Sequence, residues 1–334
     1  MYDRFDARLR SLPAASLHGL VSRMAEVEAF RGWWEGTPKP PAPVLRRVRE
    51  GVIAASAAAA RIAGAAPSPA EGGYAEALRA VFVSPASMPP GEDRVLALHA
   101  AIFRNVEPER RHAGRYKTSA PRPGIERRWV MEPVALRPPG PLLVPAQMET
   151  LSAWLASRID GAEFHPLLVA AAYLLEFLAI RPFAAGNGRV SRLLTNLLLL
   201  RCGHTYMPYA SLEAAIDSQW EEYYIALRRS QASRNLPRPD ISPWLSAFLD
   251  ALAAQQRNVR QTLSRLPTEG RLSGNQTAVL ALAAKIGEVT NRRVAAELAV
   301  PRETAKQTLN RLVALGALRR LGAGRATRYR LTEG

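Results

Sequence analysis

Residues 166–203 place two apolar segments on either side of a short turn, and few arrangements satisfy that pattern. The leading segment, 166–180, carries Leu167, Leu168, Ala171, Leu174, Leu175 and Leu178 at helical spacing. The trailing one carries Leu193, Leu194, Leu197, Leu198 and Leu200 and stops at Gly203, a helix C-terminal signal. Between them runs Arg181-Pro-Phe-Ala-Ala-Gly-Asn-Gly-Arg-Val-Ser-Arg192. Gly186 and Gly188 let successive backbone N–H groups turn toward one point, at the positive end of the helix that follows. Such a turn between two core helices is a ready phosphate cradle. Arg189 and Arg192 lie three apart, on one side of the first helical turn, where two guanidinium forks would meet the same anion.

With 334 residues and 48% hydrophobic content, the chain has enough apolar mass for a sizeable core and about two domains. Cys202 is the only cysteine, which excludes an intrachain disulfide and a cysteine metal cluster. His18, His99, His112, His165 and His204 have no metal-ligand spacing, so no metal site is expected. No signal segment and no 18-residue apolar run appears, and the expectation is a cytoplasmic protein without a membrane partner. The net charge of +16 favours a polyanion, either nucleic acid or nucleotide.

Read in order, residues 1–40 form an amphipathic helix with Leu17, Leu20, Val21, Met24, Val27 and Phe30 on one face, ended by a Pro-rich break at 37–43. Helices are expected at 74–87, 93–106, 147–159 and 242–263. Residues 124–134 hold β-prone Trp129-Val130-Met131 between Pro123-Gly124 and Pro133. They read equally as a short β-flap or as an irregular loop packed by Trp129. The organisation expected is an N-terminal helical extension (1–44), a mostly helical main domain (45–266) and a C-terminal unit (271–334).

The turn sequence resembles the Fic family, whose motif reads His-x-Phe-x-(Asp or Glu)-Gly-Asn-Gly-Arg-x-x-Arg. Phe183, Gly186, Asn187, Gly188, Arg189 and Arg192 match, six of the eight specified positions, and the likeness extends over residues 45–263. The resemblance implies a helical core with a small β-flap. It also implies transfer of AMP from ATP to a protein hydroxyl, and a protein target docked on the flap 124–134. Two positions depart from the family. Its general-base histidine is Arg181 here, which has donors and no acceptor. Its Mg²⁺-holding acid is Ala185, which offers a hard cation no side-chain oxygen. A third change follows from the family's inhibitory helix, which carries Arg-Ile-Glu-Gly: this chain reads Arg61-Ile62-Ala63-Gly64. Base, metal ligand and brake are lost together, as in a pseudoenzyme. His112 is the one histidine to test as a substitute base. No cofactor is required by the sequence; ATP or another nucleotide, held by Arg181, Phe183, Gly186, Asn187, Gly188, Arg189 and Arg192, is what the resemblance implies.

In the C-terminal unit Thr277, Leu280, Ala281 and Ala284 form one helical face, Thr290 or Asn291 caps a short helix, and Pro301 opens a third. Ala305, Leu309 and Leu312 point inward there, while Arg302, Thr304, Lys306, Gln307 and Asn310 point outward, the residue types that reach base edges and phosphates. Residues 318–321 and 327–331 read as a two-stranded wing bearing Arg325 and Arg328. Ten Arg or Lys stand against three Glu over residues 290–334. The unit resembles a winged helix-turn-helix, which implies duplex DNA as partner and a homodimer. Three readings follow: a degenerate Fic domain on a DNA-binding regulator, an active Fic-type transferase with a non-standard mechanism, and a protein-docking module.

Overall fold

A computed structural model describes residues 3–60, 69–88, 91–107, 109–119, 138–236, 238–265 and 273–332. The flap expected at 124–134 and the segment Arg61, Ile62, Ala63 and Gly64 lie outside the described residues. The backbone groups into two units, Met1–Gly36 with Val52–Val259, and Thr37–Gly51 with Arg260–Gly334.

The first unit is helical. In chain order come α1 (Asp3–Arg10), α2 (Ala14–Gly36), α3 (Ala42–Ala59, grouped with this unit only from Val52), α4 (Pro69–Val83), α5 (Glu92–Phe103) and α6 (Val144–Arg158). The series continues through α7 (Pro166–Ile180), α8 (Asn187–Arg201), α9 (Leu212–Asp217), α10 (Trp220–Ala232) and α11 (Ser242–Arg265). The centre is α7, packed against α6, α8 and α10. It starts at Pro166, which lacks an N–H and sits where none is needed, while the His165 side chain accepts from the Leu167 N–H. Nearly the whole circumference of this apolar segment is buried, from Leu167 round to Ile180, as befits a helix walled on all sides.

One carboxylate is buried with those apolar groups. Glu176 is 3% exposed and pairs with Arg8 of α1 and with Arg234, whose Nη2 lies 3.1 Å away. Burial, followed by the neighbouring charges of Arg234 and Arg4, pulls the Arg8 guanidinium down to about 10. A second buried acid, Asp6, accepts from Trp154 Nε1 at 2.8 Å and from Arg158 Nη2 at 2.6 Å. These pairs fasten α1 to α6 and α7.

The N-terminal region departs from a single helix over 1–40. Pro13 separates α1 from α2, and α2 buries Leu20, Val27, Phe30 and Trp34. Leu17 and Val21, expected on the inner face, are 44% and 58% exposed. Helix α4 runs 69–83 rather than 74–87, because Ser84-Pro85 disfavours helical backbone before the proline.

The second unit contains α12 (Gly274–Ile286), β1 (Glu288–Val289), α13 (Asn291–Glu297), α14 (Arg302–Ala314), β2 (Leu318–Leu321) and β3 (Arg328–Leu331). The strands form an antiparallel sheet in the order β1-β3-β2. Its core is built from Val279, Leu280, Val294, Leu309, Leu312, Leu318 and Tyr329. Helix α12 is held at its start by a reciprocal Ser273–Gln276 capping box. Its buried face is Gln276, Val279, Leu280 and Ala283; Thr277, Ala281 and Ala284, expected inward, are exposed. Val279 offers more apolar area than either alanine, and the helix rotates to bury it. The two-stranded wing gains a third strand, β1, too short at two residues to show alternation in sequence. Helix, turn, helix and antiparallel sheet are consistent with a winged helix.

Removing the Glu176 carboxylate leaves Arg8 and Arg234 as uncompensated buried charges. Glu176→Ala is expected to lower stability by about 3–5 kcal/mol in urea unfolding.

Candidate functional site

The turn between α7 and α8 is closed from inside. Asn187 Oδ1 accepts from the Phe183 N–H at 3.0 Å, and Asn187 Nδ2 donates to the Phe183 carbonyl at 2.9 Å. Phe183 is fully buried and stacks on the His99 ring, centroids 3.8 Å apart at 8°. Gly186 has φ of +79°, and a Cβ there would stand 2.3 Å from Phe103 Cε2. Only glycine fits.

His99 ties this turn to the preceding segment. Its Nδ1 lies 2.9 Å from the Gly114 nitrogen and its Nε2 lies 3.2 Å from the Ala185 carbonyl. A backbone N–H can only donate, so Nδ1 is the acceptor and Nε2 carries the proton given to Ala185. Burial holds the imidazole neutral and pulls its pKa down to about 4. Lys117 donates through Nζ to the Ile180 carbonyl at 3.0 Å, and its backbone N–H donates to Pro182 at 2.9 Å. Burial, and then the charge of Arg181, pull that ammonium down to about 8.

A cleft of about 180 Å³ opens beside the turn. Asn187, Gly188 and Ser191, from the first turn of α8, form one wall. Leu178, Arg181 and Arg192 form another, and Tyr223, Tyr224, Leu227, Arg228 and Gln231 of α10 close it. Arg181 terminates α7 in left-handed backbone, φ 48°, unusual for a residue with a side chain. Its Nε is buried without a hydrogen-bond partner among the described residues. Arg192 reaches Tyr224 Oη at 3.5 Å. Burial opposes its charge, but the oxygens of Tyr224, Tyr74 and Glu213 outweigh that and keep it protonated. Glu213 is itself buried, accepting from Tyr74 and, at 3.2 Å, from Ser211.

Arg189 is placed elsewhere. Its Nε donates to the Ala60 carbonyl at 3.2 Å and its guanidinium lies 5.9 Å from the Phe103 ring centre, so it does not line the cleft with Arg192. Phe183 and Asn187 build the turn through their side chains, whereas Arg181, Gly188 and Arg192 face the cleft. His112 is exposed and is not among the lining residues. His99, Lys117 and Glu213 were not singled out by the sequence. His99 lies 86 positions from the carbonyl it holds, a separation that leaves no local signal.

The family's divalent cation does not fit these residues. The described lining brings three guanidinium groups and no carboxylate to the cleft, and among the described residues no group of three His, Cys, Asp or Glu is placed to hold a metal. A hard cation needs several oxygen ligands and would meet net repulsion here.

Comparison with known proteins places this turn within a recognised domain. Residues 89–199 match the family model Fic/DOC family. The chain carries a Fic/DOC domain. Residues 274–332 match the C-terminal domain of the transcriptional regulator DIP2311-like family. The protein adenylyltransferase Fic of Nematostella vectensis is 32% identical over 111 residues, 33% of this chain and 23% of that protein. Its namesake from Aedes aegypti is 43% identical over 67 residues, 20% of this chain and 13% of that protein. The chain therefore spans less than a quarter of the curated relatives it matches. Among solved structures, a Fic family protein from Desulfovibrio desulfuricans G20 superposes with a TM-score of 0.56 at 24% identity, covering 94% of this chain and 96% of that one. Fic-1 of C. elegans gives a TM-score of 0.52 at 21% identity over 72% of each chain. Both likenesses concern the fold. Within the Fic domain, the motif positions that line the cleft include the departure from the family pattern, Arg181.

On the second unit, Arg302, Lys306, Gln307 and Asn310 are exposed along α14 and Thr304 is half-buried. Lys306 has Glu303 at 3.6 Å. Arg328 of β3 donates to Glu288 of β1; the Arg325 side chain lies outside the described residues. No described helix is long and apolar enough to cross a membrane.

His99 gives the turn a pH dependence. Its folded pKa, about 4, lies below the ordinary 6.5. The unfolded chain binds a proton first, so stability is complete above about pH 6.5 and falls as pH drops toward 4. The loss is on the order of 3 kcal/mol. His99→Phe keeps a stacking ring without titrating, and its melting temperature should vary less between pH 7 and 4. Buried His204, pulled down to about 3, adds to the same slope.

Proposed function

We propose that this chain is a phosphate-ligand sensor that acts as a DNA-binding regulator. The cleft at the head of α8 takes a nucleotide or another phosphate compound without transferring any part of it, and residues 271–334 bind duplex DNA as a homodimer. A regulator of this kind works where the DNA is, in the cytoplasm. The observation that carries the reading is Arg181: a half-buried arginine lining the cleft, its buried Nε unpartnered among the described residues, beside Arg192 and the first turn of α8. Gly188 supports it. A Cβ there would meet nothing within 4 Å, so packing has no need of glycine, whereas a ligand seated over the amide does.

A transferase needs a group that accepts the proton of the incoming hydroxyl. Arg181 has no acceptor, His112 is remote from the lining, and both ring nitrogens of His99 are engaged. Names of the adenylyltransferase relatives favour the alternative, an active transferase with another base, and a docking module is the third reading. For DNA, the support is the exposed set on α14: its mix of charged and amide side chains matches base-edge and phosphate recognition.

Calorimetry with ATP, ADP and pyrophosphate, in Mg²⁺ and in EDTA, tests the cleft. Binding is expected to change little between the two buffers. Arg181→Ala should weaken it by about 1.5–3 kcal/mol, the scale of a hydrogen bond to a charged group. Gly188→Ala should weaken it with an unchanged melting temperature. Labelled ATP with cell lysate should mark no protein; strong labelling abolished by Arg181→Ala would establish the transferase.

The DNA reading is tested by fluorescence anisotropy on duplexes selected from random sequence. Gln307→Ala should relax sequence preference by about 1–3 kcal/mol. Wild-type affinity that does not depend on sequence or salt would defeat the regulator reading and leave the docking module.

A further inference from the structure

The sheet of the second unit has an inner face on the helices and an outer face toward solvent. Register puts Glu288 of β1 opposite Arg330 of β3, and Arg330 opposite Arg319 of β2, so these three side chains form one row across the outer face. Arg328, two residues before Arg330, shares that face. Two guanidiniums placed directly opposite, Arg319 and Arg330, repel, and this weakens the sheet unless an anion stands nearby. A single carboxylate does so. Glu288 accepts from Arg330 Nη2 at 2.5 Å through Oε1 and from Arg328 Nη1 at 3.3 Å through Oε2. Arg319 has no ion-pair partner among the described residues, and the face carries three positive charges against one negative.

We infer that this outer face is a second contact for the phosphates of duplex DNA, and that Glu288 sets its strength by competing with those phosphates for Arg328 and Arg330. The inference rests on the DNA-binding reading above. Side-chain exposures of 63% for Arg328 and 49% for Arg330 leave both guanidiniums open to a polyanion from solvent. Exposed ion pairs are weak, so a phosphate can displace the carboxylate, and each displacement subtracts from the affinity gained. The carboxylate thus keeps an arginine-rich strand from holding any polyanion tightly, and discrimination falls to the amide and charged side chains of α14. Depression of the Glu288 carboxyl by hydrogen bonds from Arg330 and Arg328 keeps it ionised and competing throughout the neutral range.

The test is anisotropy of a labelled mixed-sequence duplex titrated with the full chain over a potassium chloride series. Glu288→Gln should tighten binding roughly tenfold at fixed salt. Its slope of log affinity against log salt should steepen, by about 0.9 for each arginine released to a phosphate. Arg319→Ala should flatten the slope by about 0.9. A gain of affinity cannot come from misfolding, so the first variant guards the second. If neither variant shifts affinity or slope while Lys306→Ala still does, the sheet face is no contact: the inference falls and the DNA reading stands. Weaker binding by Glu288→Gln overturns it equally. A wild-type chain without salt-dependent binding removes the DNA reading, and this inference with it.

Discussion

The first unit depends on a turn that satisfies its own hydrogen bonds. Between Ile180 and Asn187 the chain must reverse inside the most apolar part of the molecule, where an unpaired backbone group costs about as much as a whole helix cap. The Asn187 side chain solves this by gripping both polar atoms of the Phe183 backbone at 3.0 and 2.9 Å. His99 takes the Ala185 carbonyl, and Lys117 takes those of Ile180 and Pro182. The turn's polar groups are therefore paired, and among the described residues none of these hydrogen bonds uses the amides of the first turn of α8. The cleft of about 180 Å³ opens beside that first turn of α8.

Electrostatics then decides what that space can hold. Three arginines come close to the turn and do different things. Arg189 is drawn away to the Ala60 carbonyl, Arg192 is kept charged above the buried Glu213, and Arg181 ends α7 with a buried donor that the described residues leave unpaired. An unpaired buried donor is costly in the folded state, as is left-handed backbone at a residue with a side chain. Both costs fall on one residue, and that residue faces the cleft. Cation chemistry is disfavoured there by the same charges that favour an anion.

The second unit works on another principle. Its core is small and its helices are short, so caps and turns carry much of the specification: the Ser273–Gln276 box, the Thr290 cap and the left-handed Ala299 between α13 and α14. With the interior settled in this way, the surface is left to charge, and the sheet collects arginines around one glutamate.

Local pattern made a good deal of this legible in sequence. Long apolar runs required α7, α8 and α11; the glycines, Pro166 and Pro301 marked where helices start and turn; and inward Ala305, Leu309 and Leu312 followed from a period of 3.6. The family motif pointed to the turn as the site, because its residues are contiguous. Which face of α12 is buried, that α7 is buried all round, and that Leu17 and Val21 remain exposed depended on neighbours supplied by distant parts of the chain. The same holds for Arg189, whose spacing from Arg192 suggested a shared anion until the Ala60 carbonyl, 129 positions away, claimed it. Sequence by itself determined where helices form and where the chain turns between them, since those rest on backbone geometry and the hydrophobic effect over a few residues. Tertiary structure alone decided which charged groups reach that point, because a long side chain goes to whichever partner packing brings within 3 Å.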